Sequence, residues 1–200
     1  IPSIVTKIGD WAFSFNNSIE TVNIHDAVTD IGDYAFYDCD NLDNISIGNG
    51  VTSIGEWAFA DCDSIITISI PNSVTSIGAS AFAFCWSLED INVGSTNTNY
   101  KSIDGVLFNK DGTTLIKYPL AKSDSSYSVP NGVTKIEDYA ISDVYTPLNI
   151  SLPSGLEYIG EGAFIYSGLT SATIPSTVTF IGEGAFGGNR SLSSIQVEGG

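Results

Sequence analysis

The amino-acid sequence predicts an α/β solenoid, in which short coils of chain stack on one another. A nine-residue segment occurs in seven copies along the 200-residue chain, mostly at intervals of 23 residues. Between its copies lies a second apolar pattern, Leu-x-x-Ile-x-Ile, which ends in strict alternation. Repeats of this length indicate a solenoid, because one unit is too small to bury its apolar face without a neighbour.

The alternating pattern predicts a short strand in each coil, with one face turned inward. Leu42, Ile45 and Ile47 form one such triplet, and equivalent triplets occur in the other coils. We expect each strand to pair with the same strand of the next coil, about 4.8 Å away, in a parallel ladder.

The nine-residue segment predicts a turn followed by a short helix. In the copy from Val28 to Phe36, Gly32 gives the backbone freedom at a turn. Asp33 would lie in the first helical turn, where the helix dipole favours negative charge. The residue at the end of each copy would fill the interior and build a continuous spine. The seven spine residues are Phe13, Phe36, Phe59, Phe82, Ile141, Phe164 and Phe186.

One segment, 94–132, departs from the period. Within it, Val106–Phe108 and Thr114–Tyr118 flank Asn109–Gly112, which predicts a β-hairpin with Gly at the position that needs positive φ. The hairpin either replaces one coil or protrudes as a binding loop. We therefore expect one continuous domain, with four coils in 1–93, the insert in 94–132 and three coils in 133–200.

Composition excludes several classes of function. The chain carries 23 acidic and 7 basic residues, for a formal net charge of −16. This charge argues against a nucleic-acid partner and against docking on anionic lipid. The chain contains no run of about 18 apolar residues, which is the length that a membrane-spanning helix needs. No nucleophile, phosphate-loop or dinucleotide motif is present, and the single His25 is expected to face solvent at a strand end, so we predict a non-enzymatic protein without a cofactor.

Three repeat positions carry side chains with possible chemistry. Cys39, Cys62 and Cys85 share one position, and their odd number rules out a complete disulfide framework. We interpret this position as a small buried corner where a thiol bonds to backbone, with a disulfide or a reactive thiol as alternatives. Four acids flank two of the cysteines, and they form either a solvated acidic edge or a weak calcium site. These acids are Asp38, Asp40, Asp61 and Asp63.

Aromatic residues share another position, just before the Ala that precedes the spine. They are Trp11, Tyr34, Trp57 and Tyr139. The rings either cover the seams between coils or form an exposed ladder that stacks on sugars or on a protein.

The outward strand positions form the most plausible contact surface, because small polar side chains leave room for an extended ligand. The alternative is that they only keep an exposed face soluble. These residues are Thr21, Asn23, Asn44, Ser46, Thr67, Ser69, Asp90, Asn92, Ser171 and Thr173.

The segments Ile70–Phe82 and Cys85–Val93 resemble the BspA-type leucine-rich repeat family. The resemblance covers nearly the whole chain. It implies a right-handed solenoid with a parallel sheet on the concave face and with short helical turns and irregular structure on the convex side. It also implies an adhesion or protein-binding segment of a secreted or cell-surface protein, with a host or matrix protein as partner. The alternatives are a carbohydrate-binding module that uses the aromatic column on the convex side and a passive spacer.

The first residue of the chain is Ile1. Because no Met and no leader pattern precede the repeats, we expect a processed fragment whose targeting segments are missing.

Overall fold

The computed structural model describes residues 1–144 and 148–198, and it has the predicted architecture of a solenoid built from stacked parallel strands. Each regular coil contributes two short strands. All strands, including those of the insert, are numbered β1 to β18 in chain order. One strand of each coil joins a ladder built on the apolar triplets, and the other joins a second ladder of two-residue strands. Among the described residues there is no helix that could serve as a membrane span.

Exposed and buried side chains alternate, as predicted, in the first, third and seventh of the eight triplet strands, whereas all four residues of the eighth are exposed. The triplet strands are β2 (Thr21–Ile24), β4 (Asn44–Ile47), β6 (Thr67–Ile70), β8 (Asp90–Val93), β12 (Ser126–Ser128), β14 (Asn149–Ser151), β16 (Ser171–Ile174) and β18 (Ser194–Val197). They pair in parallel and in register, but only two by two, as β2–β4, β6–β8, β12–β14 and β16–β18. The expectation of one unbroken ladder at this position is therefore wrong.

The second ladder is the longer one, and the sequence did not predict it. Its strands lie just before the turn and are β1 (Lys7–Ile8), β3 (Asp30–Ile31), β5 (Ser53–Ile54), β7 (Ser76–Ile77), β13 (Lys135–Ile136), β15 (Tyr158–Ile159) and β17 (Phe180–Ile181). The first four form one parallel sheet, and the last three belong to a six-stranded sheet. Strands of two residues are too short to show alternation, which explains why the pattern did not reveal them.

The turn segments are not helical, so the predicted short helices are wrong. In the first coil the amides of Trp11, Phe13 and Phe15 donate to carbonyls of the next coil, at 2.7–2.9 Å. Trp11 and Phe15 have φ of 58° and 61°, in the left-handed region. Because these amides bond between coils, they are not available for the i to i−4 bonds of a helix.

The recurring glycine before the turn serves close packing and not a special φ. A Cβ added at Gly55 would lie 2.5 Å from both the backbone nitrogen of Asp33 and the carbonyl carbon of Gly32 in the preceding coil. Gly55 is not among the residues with positive φ. The prediction that this residue supplies turn freedom is thus wrong, since the requirement is the absence of a side chain between coils.

The acid after this glycine also acts between coils. Oδ1 of Asp10 accepts from the amide of Asp33 at 2.9 Å, and Oδ1 of Asp33 accepts from the amide of Glu56 at 2.7 Å. Asp138 makes the same bond with the amide of Glu161 at 2.8 Å. These carboxylates satisfy backbone donors of the next coil, a role that replaces the predicted helix-dipole contact.

The phenylalanine spine forms in two stretches. Phe13, Phe36, Phe59 and Phe82 stack with ring centroids 5.2–6.1 Å apart, and Phe164 stacks on Phe186 at 5.1 Å. Between the stretches, Tyr118 of the insert occupies a spine position that the repeat pattern did not predict. Its amide donates to the carbonyl of Ala140 as Phe13 does to that of Ala35, and its side chain is fully buried together with Ile141.

The insert forms a three-stranded antiparallel meander. Its strands are β9 (Tyr100–Ile103), β10 (Val106–Asn109) and β11 (Thr114–Lys117). The hairpin of β10 and β11 is the predicted one, and Gly112 in its loop has a φ of 78°. Strand β9 was missed. Asp104 and Gly105, both at positive φ, form the two-residue turn between β9 and β10, and this Asp-Gly pair is a hairpin signal.

The insert contributes to both ladders of the solenoid. Strand β11 pairs in parallel with β13, and β12 pairs in parallel with β14. Side chains of β10 also contact both parts of the core: Leu107 lies in the apolar cluster of the first four coils, while Val106 and Phe108 lie in the cluster of the later coils.

Candidate functional site

The outward side chains of the triplet strands form a polar surface, which we call the triplet face. Nine of the ten predicted residues are exposed, and Asp90 is half-buried. The strand pairing places Thr21 beside Asn44 and Asn23 beside Ser46, and it aligns Thr67 with Asp90 in the next pair. Ser69 likewise lies beside Asn92, whereas Ser171 and Thr173 face Ser194 and Gln196.

Most of these side chains have unused hydrogen-bonding capacity. Asn44 donates to Oδ1 of Asp43 at 3.2 Å. Within residues 1–144 and 148–198, the side chains of the other nine make no hydrogen bond to protein. Their donors and acceptors are therefore free to bond to a ligand without first breaking a protein contact.

Asp90 differs from its neighbours because the insert packs against it. The amide of Ile91 donates to the carbonyl of Gly105 at 2.9 Å. A Cβ on Gly105 would lie 2.1 Å from Oδ1 of Asp90. The β9–β10 turn thus covers the triplet ladder at β8, and Asp90 is the least accessible of the predicted contact residues.

A shallow groove lies at the ends of β4, β6 and β8. It encloses about 330 Å³, and its lining includes Ser69 and Asn92 of the triplet face together with Asn49, Asn72 and Pro71. The groove gives the polar face a concavity at this edge of the triplet strands.

The predicted aromatic column is present, but its rings stack mainly on each other. The rings of Trp11 and Tyr34 are stacked almost in parallel, with centroids 4.1 Å apart, and Tyr34 stacks on Trp57 at 6.2 Å. Tyr139 reaches Trp57 in an edge contact at 6.0 Å, since Ser80 fills the column position in the coil between them. Both faces of Tyr34 are covered by rings, so this geometry resembles seam packing more than an open sugar platform.

The column is wider than the sequence suggested. Phe15, Tyr37 and Phe84 contact its rings at centroid distances between 5.7 and 6.2 Å. Phe15 and Phe84 lie four residues after the column position, at a second site of positive φ. That second site, occupied by Asp38 and Asp61 in other coils, was a detectable column in the repeat.

The four predicted acids come together beside the cysteines. Burial, together with the charges of Asp40 and Asp61, raises the pKa of Asp63 to about 6. Burial also raises the pKa of Asp40 and of Asp61, with Asp38 contributing to both. In the described parts of the chain, no three His, Cys, Asp or Glu side chains are arranged to hold a metal ion.

The cysteine position is the buried corner that the repeat predicted. All three thiols are free and at most 1% exposed. Cys39 donates to the carbonyl of Phe13 at 3.1 Å, and Cys62 donates to that of Phe36 at 3.0 Å. Burial raises the pKa of Cys85 to about 12, so the thiolate that would react is scarce at neutral pH.

His25 is half-buried and does not simply face solvent. Its Nδ1 accepts from the amide of Ala27 at 3.1 Å, so its Nε2 carries the proton that is donated to the carbonyl of Pro2 at 2.6 Å. Both ring nitrogens form hydrogen bonds with backbone groups, so His25 has a structural role in this turn.

Comparison with known proteins agrees with this architecture. A family model described as the BspA type leucine-rich repeat region matches residues 1–112 and 121–200, in six copies. No curated protein matches the sequence.

Three solved bacterial structures are similar to this chain. The pneumococcal vaccine antigen PcpA has a TM-score of 0.85 and 28% identity over 96% of this chain and 54% of its own. A leucine-rich repeat protein from Bacteroides ovatus has a TM-score of 0.65 and 26% identity, over 98% of this chain and 59% of its own. One from Eubacterium ventriosum has a TM-score of 0.64 and 27% identity, over 94% of this chain and 62% of its own.

The chain thus spans less than two thirds of each of these proteins. The family model, in contrast, covers almost all of the chain, and the stacked coils repeat at the same period as the sequence motif. The chain belongs to the BspA-type leucine-rich repeat family.

Proposed function

We propose that this chain is a non-catalytic protein-binding segment of a secreted or cell-surface protein, and that the triplet face binds a host or matrix protein. The observation that carries the proposal is the uncommitted hydrogen-bonding capacity of the polar side chains on this face. Small side chains in register leave a partner room to approach, and extended solenoid surfaces are common binding sites. The similarity to a pneumococcal vaccine antigen supports a location at the cell surface.

The absence of catalysis is part of the same proposal. The cysteines and the histidine are not available for catalysis: burial raises the pKa of the three thiols, and His25 bonds to backbone through both ring nitrogens. An enzyme needs a nucleophile or base positioned at a cleft, whereas the thiols are buried and both nitrogens of His25 are bonded to backbone.

The aromatic column supports a carbohydrate-binding function less well. Sugar recognition by rings needs an open ring face, but Trp11, Tyr34 and Trp57 turn their faces to one another. A passive spacer remains the second alternative, and it differs from the proposal because it predicts no ligand.

The test is a binding screen followed by charge substitution on the triplet face. Biolayer interferometry against purified extracellular-matrix and serum proteins identifies a binder. The variant Asn44→Arg/Thr67→Arg/Asn92→Arg should then weaken that binding at least about tenfold, through steric block and loss of hydrogen bonds. Asp90 is left unchanged because its carboxylate packs against the insert.

A matched variant carries the same added charge elsewhere. Thr6→Arg/Asn131→Arg/Ser176→Arg changes three exposed side chains that make no hydrogen bond in the described structure. Equal binding by both variants would reject the triplet face as the binding surface. No binder in the screen would support the spacer.

A further inference from the structure

The turn segments are joined by a regular set of three backbone hydrogen bonds. In most coils of the described structure, the amides of the column residue, the spine residue and the residue two further on donate to carbonyls of the next coil. Five coils make all three bonds, and their donors are Trp11, Phe13, Phe15; Tyr34, Phe36, Asp38; Trp57, Phe59, Asp61; Tyr139, Ile141, Asp143; and Gly162, Phe164, Tyr166.

The fourth coil lacks this set. The amides of Ser80, Phe82 and Phe84 donate to no backbone carbonyl in residues 1–144 and 148–198. The reason is that the insert has fewer residues between its ladder strand and its spine residue than a regular coil has. From Ile136 to the spine residue Ile141 there are five steps along the chain, whereas from Leu115, the partner of Ile136, to Tyr118 there are three. The coil contributed by the insert therefore has no turn to set against these amides.

The missing turn leaves a cleft of about 320 Å³. One wall is the segment from Gly78 to Phe82, and the other is the segment from Glu137 to Tyr139. Ile116 and Lys117 also line it. On the second wall, the carbonyl of Asp138 accepts from no backbone amide of the described residues, although the equivalent Asp33 accepts from Trp11. Within the part of the chain that the structure describes, the cleft therefore has unpaired backbone donors on one side and an unpaired backbone acceptor on the other.

Lys117 adds a buried cation to this cleft. The residue is 4% exposed, and its Nζ donates to the carbonyl of Tyr139 at 2.9 Å. This is the one hydrogen bond of the ammonium group within the described structure, so two of its three protons have no acceptor. Asp143 lies close enough to act on its charge. Glu137 and Asp138 on the wall oppose a free anion, whereas a neutral peptide group meets both the donors and the acceptor.

We propose that this cleft binds a short peptide main chain in the conformation of the missing turn. The other coils show what fits, since there the carbonyls of a turn pair with the same three amides. The bound segment would accept from Ser80 and Phe82, donate to Asp138 and accept from Lys117. Addition of a main chain to an unpaired backbone edge is an established mode of peptide recognition. This site is separate from the triplet face and does not depend on it.

The probe is the acetylated and amidated peptide Ile-Gly-Asp-Tyr-Ala, which is the sequence of residues 31–35. In the whole chain labelled with ¹⁵N, hydrogen exchange of the Ser80 and Phe82 amides should be fast without peptide, relative to Trp57 and Phe59. Millimolar peptide should shift the Ser80 and Phe82 signals and slow their exchange. Amides of the triplet face should not move.

Two controls keep the result specific. The peptide Ile-Gly-Asp-Pro-Ala lacks the amide that would donate to Asp138 and should bind at least about tenfold more weakly. Lys117→Met keeps the side-chain length and should weaken the first peptide by a similar factor, while amide signals outside the cleft report that the fold is intact. No shift at Ser80 and Phe82, or protection of both amides before peptide is added, would overturn the proposal.

Discussion

The thiol of Cys62 donates a hydrogen bond to the carbonyl oxygen of Phe36, 26 residues earlier, at 3.0 Å. At the same repeat position, the hydroxyl of Ser167 bonds to the carbonyl of Ile141, and the amide of Asn189 bonds to that of Phe164 at 2.7 Å. Thiol, hydroxyl and amide share only the ability to donate. In these three coils the position therefore holds a small donor that satisfies the spine carbonyl of the preceding coil, whereas the buried Val144, which cannot donate, fills it in the coil after the insert.

Replacement of Cys62 tests this relationship. Cys62→Ala should lower the free energy of unfolding by about 1–3 kcal/mol, because it leaves the buried carbonyl of Phe36 without a partner. Cys62→Ser keeps the donor and should lose clearly less. Urea denaturation of the two variants and the parent provides the measurement. A Ser variant as unstable as the Ala variant would show that volume, and not donation, decides this position.

Close packing between coils leads to a second prediction. Gly55→Ala should destabilise the fold by about 1–3 kcal/mol, because its Cβ would lie 2.5 Å from backbone atoms of the preceding coil and the two coils would have to separate. Gly155→Ala is the matched control, since nothing lies within 4 Å of its added Cβ. Thermal melts of both variants give the comparison. If the two shifts were equal, close approach would not explain the recurring glycine.

Asp63 and Asp30 predict opposite responses to pH. Burial raises the pKa of Asp63 from 3.8 to about 6, so the folded state binds a proton that the unfolded state releases. Its contribution to stability is fully present below about pH 3.8 and is lost as the pH rises through 6. Asp63→Asn should therefore raise the denaturation midpoint at pH 7 and have little effect at pH 4.

Asp30 provides the contrast. Hydrogen bonds from Thr29 and Ser53, with Lys7 3.1 Å away, lower its pKa to about 2. Its contribution is present above pH 3.8 and is lost as the pH falls toward 2. Asp30→Asn should lower the midpoint at pH 7, and a rise there would contradict this assignment.

Much of the architecture was readable from the repeat. The alternation in Thr21–Ile24 and its equivalents predicted the triplet strands, and the 23-residue period predicted that they stack. The turn around Asn109–Gly112 predicted the hairpin of β10 and β11. The corner position of Cys39, Cys62 and Cys85 was also predicted correctly as one that bonds to backbone.

The turns were misread for a physical reason. A sequence of Gly, an acid and Ala is compatible with a helix start, and only the neighbouring coil decides otherwise. The amides of Trp11, Phe13 and Phe15 donate to carbonyls of the next coil, so a helix would give them no additional hydrogen bond. The cleft beside Ser80 was invisible for the same reason, since it is defined by a turn that the insert omits.

By itself, the sequence determined the period, the inward strand faces, the spine and the family, because each is a local pattern repeated many times. The tertiary structure alone decided where backbone donors find acceptors, which glycines must lack a side chain and where two coils fail to meet. Those outcomes depend on distances between residues more than 20 positions apart, and a repeat unit read in isolation does not contain them.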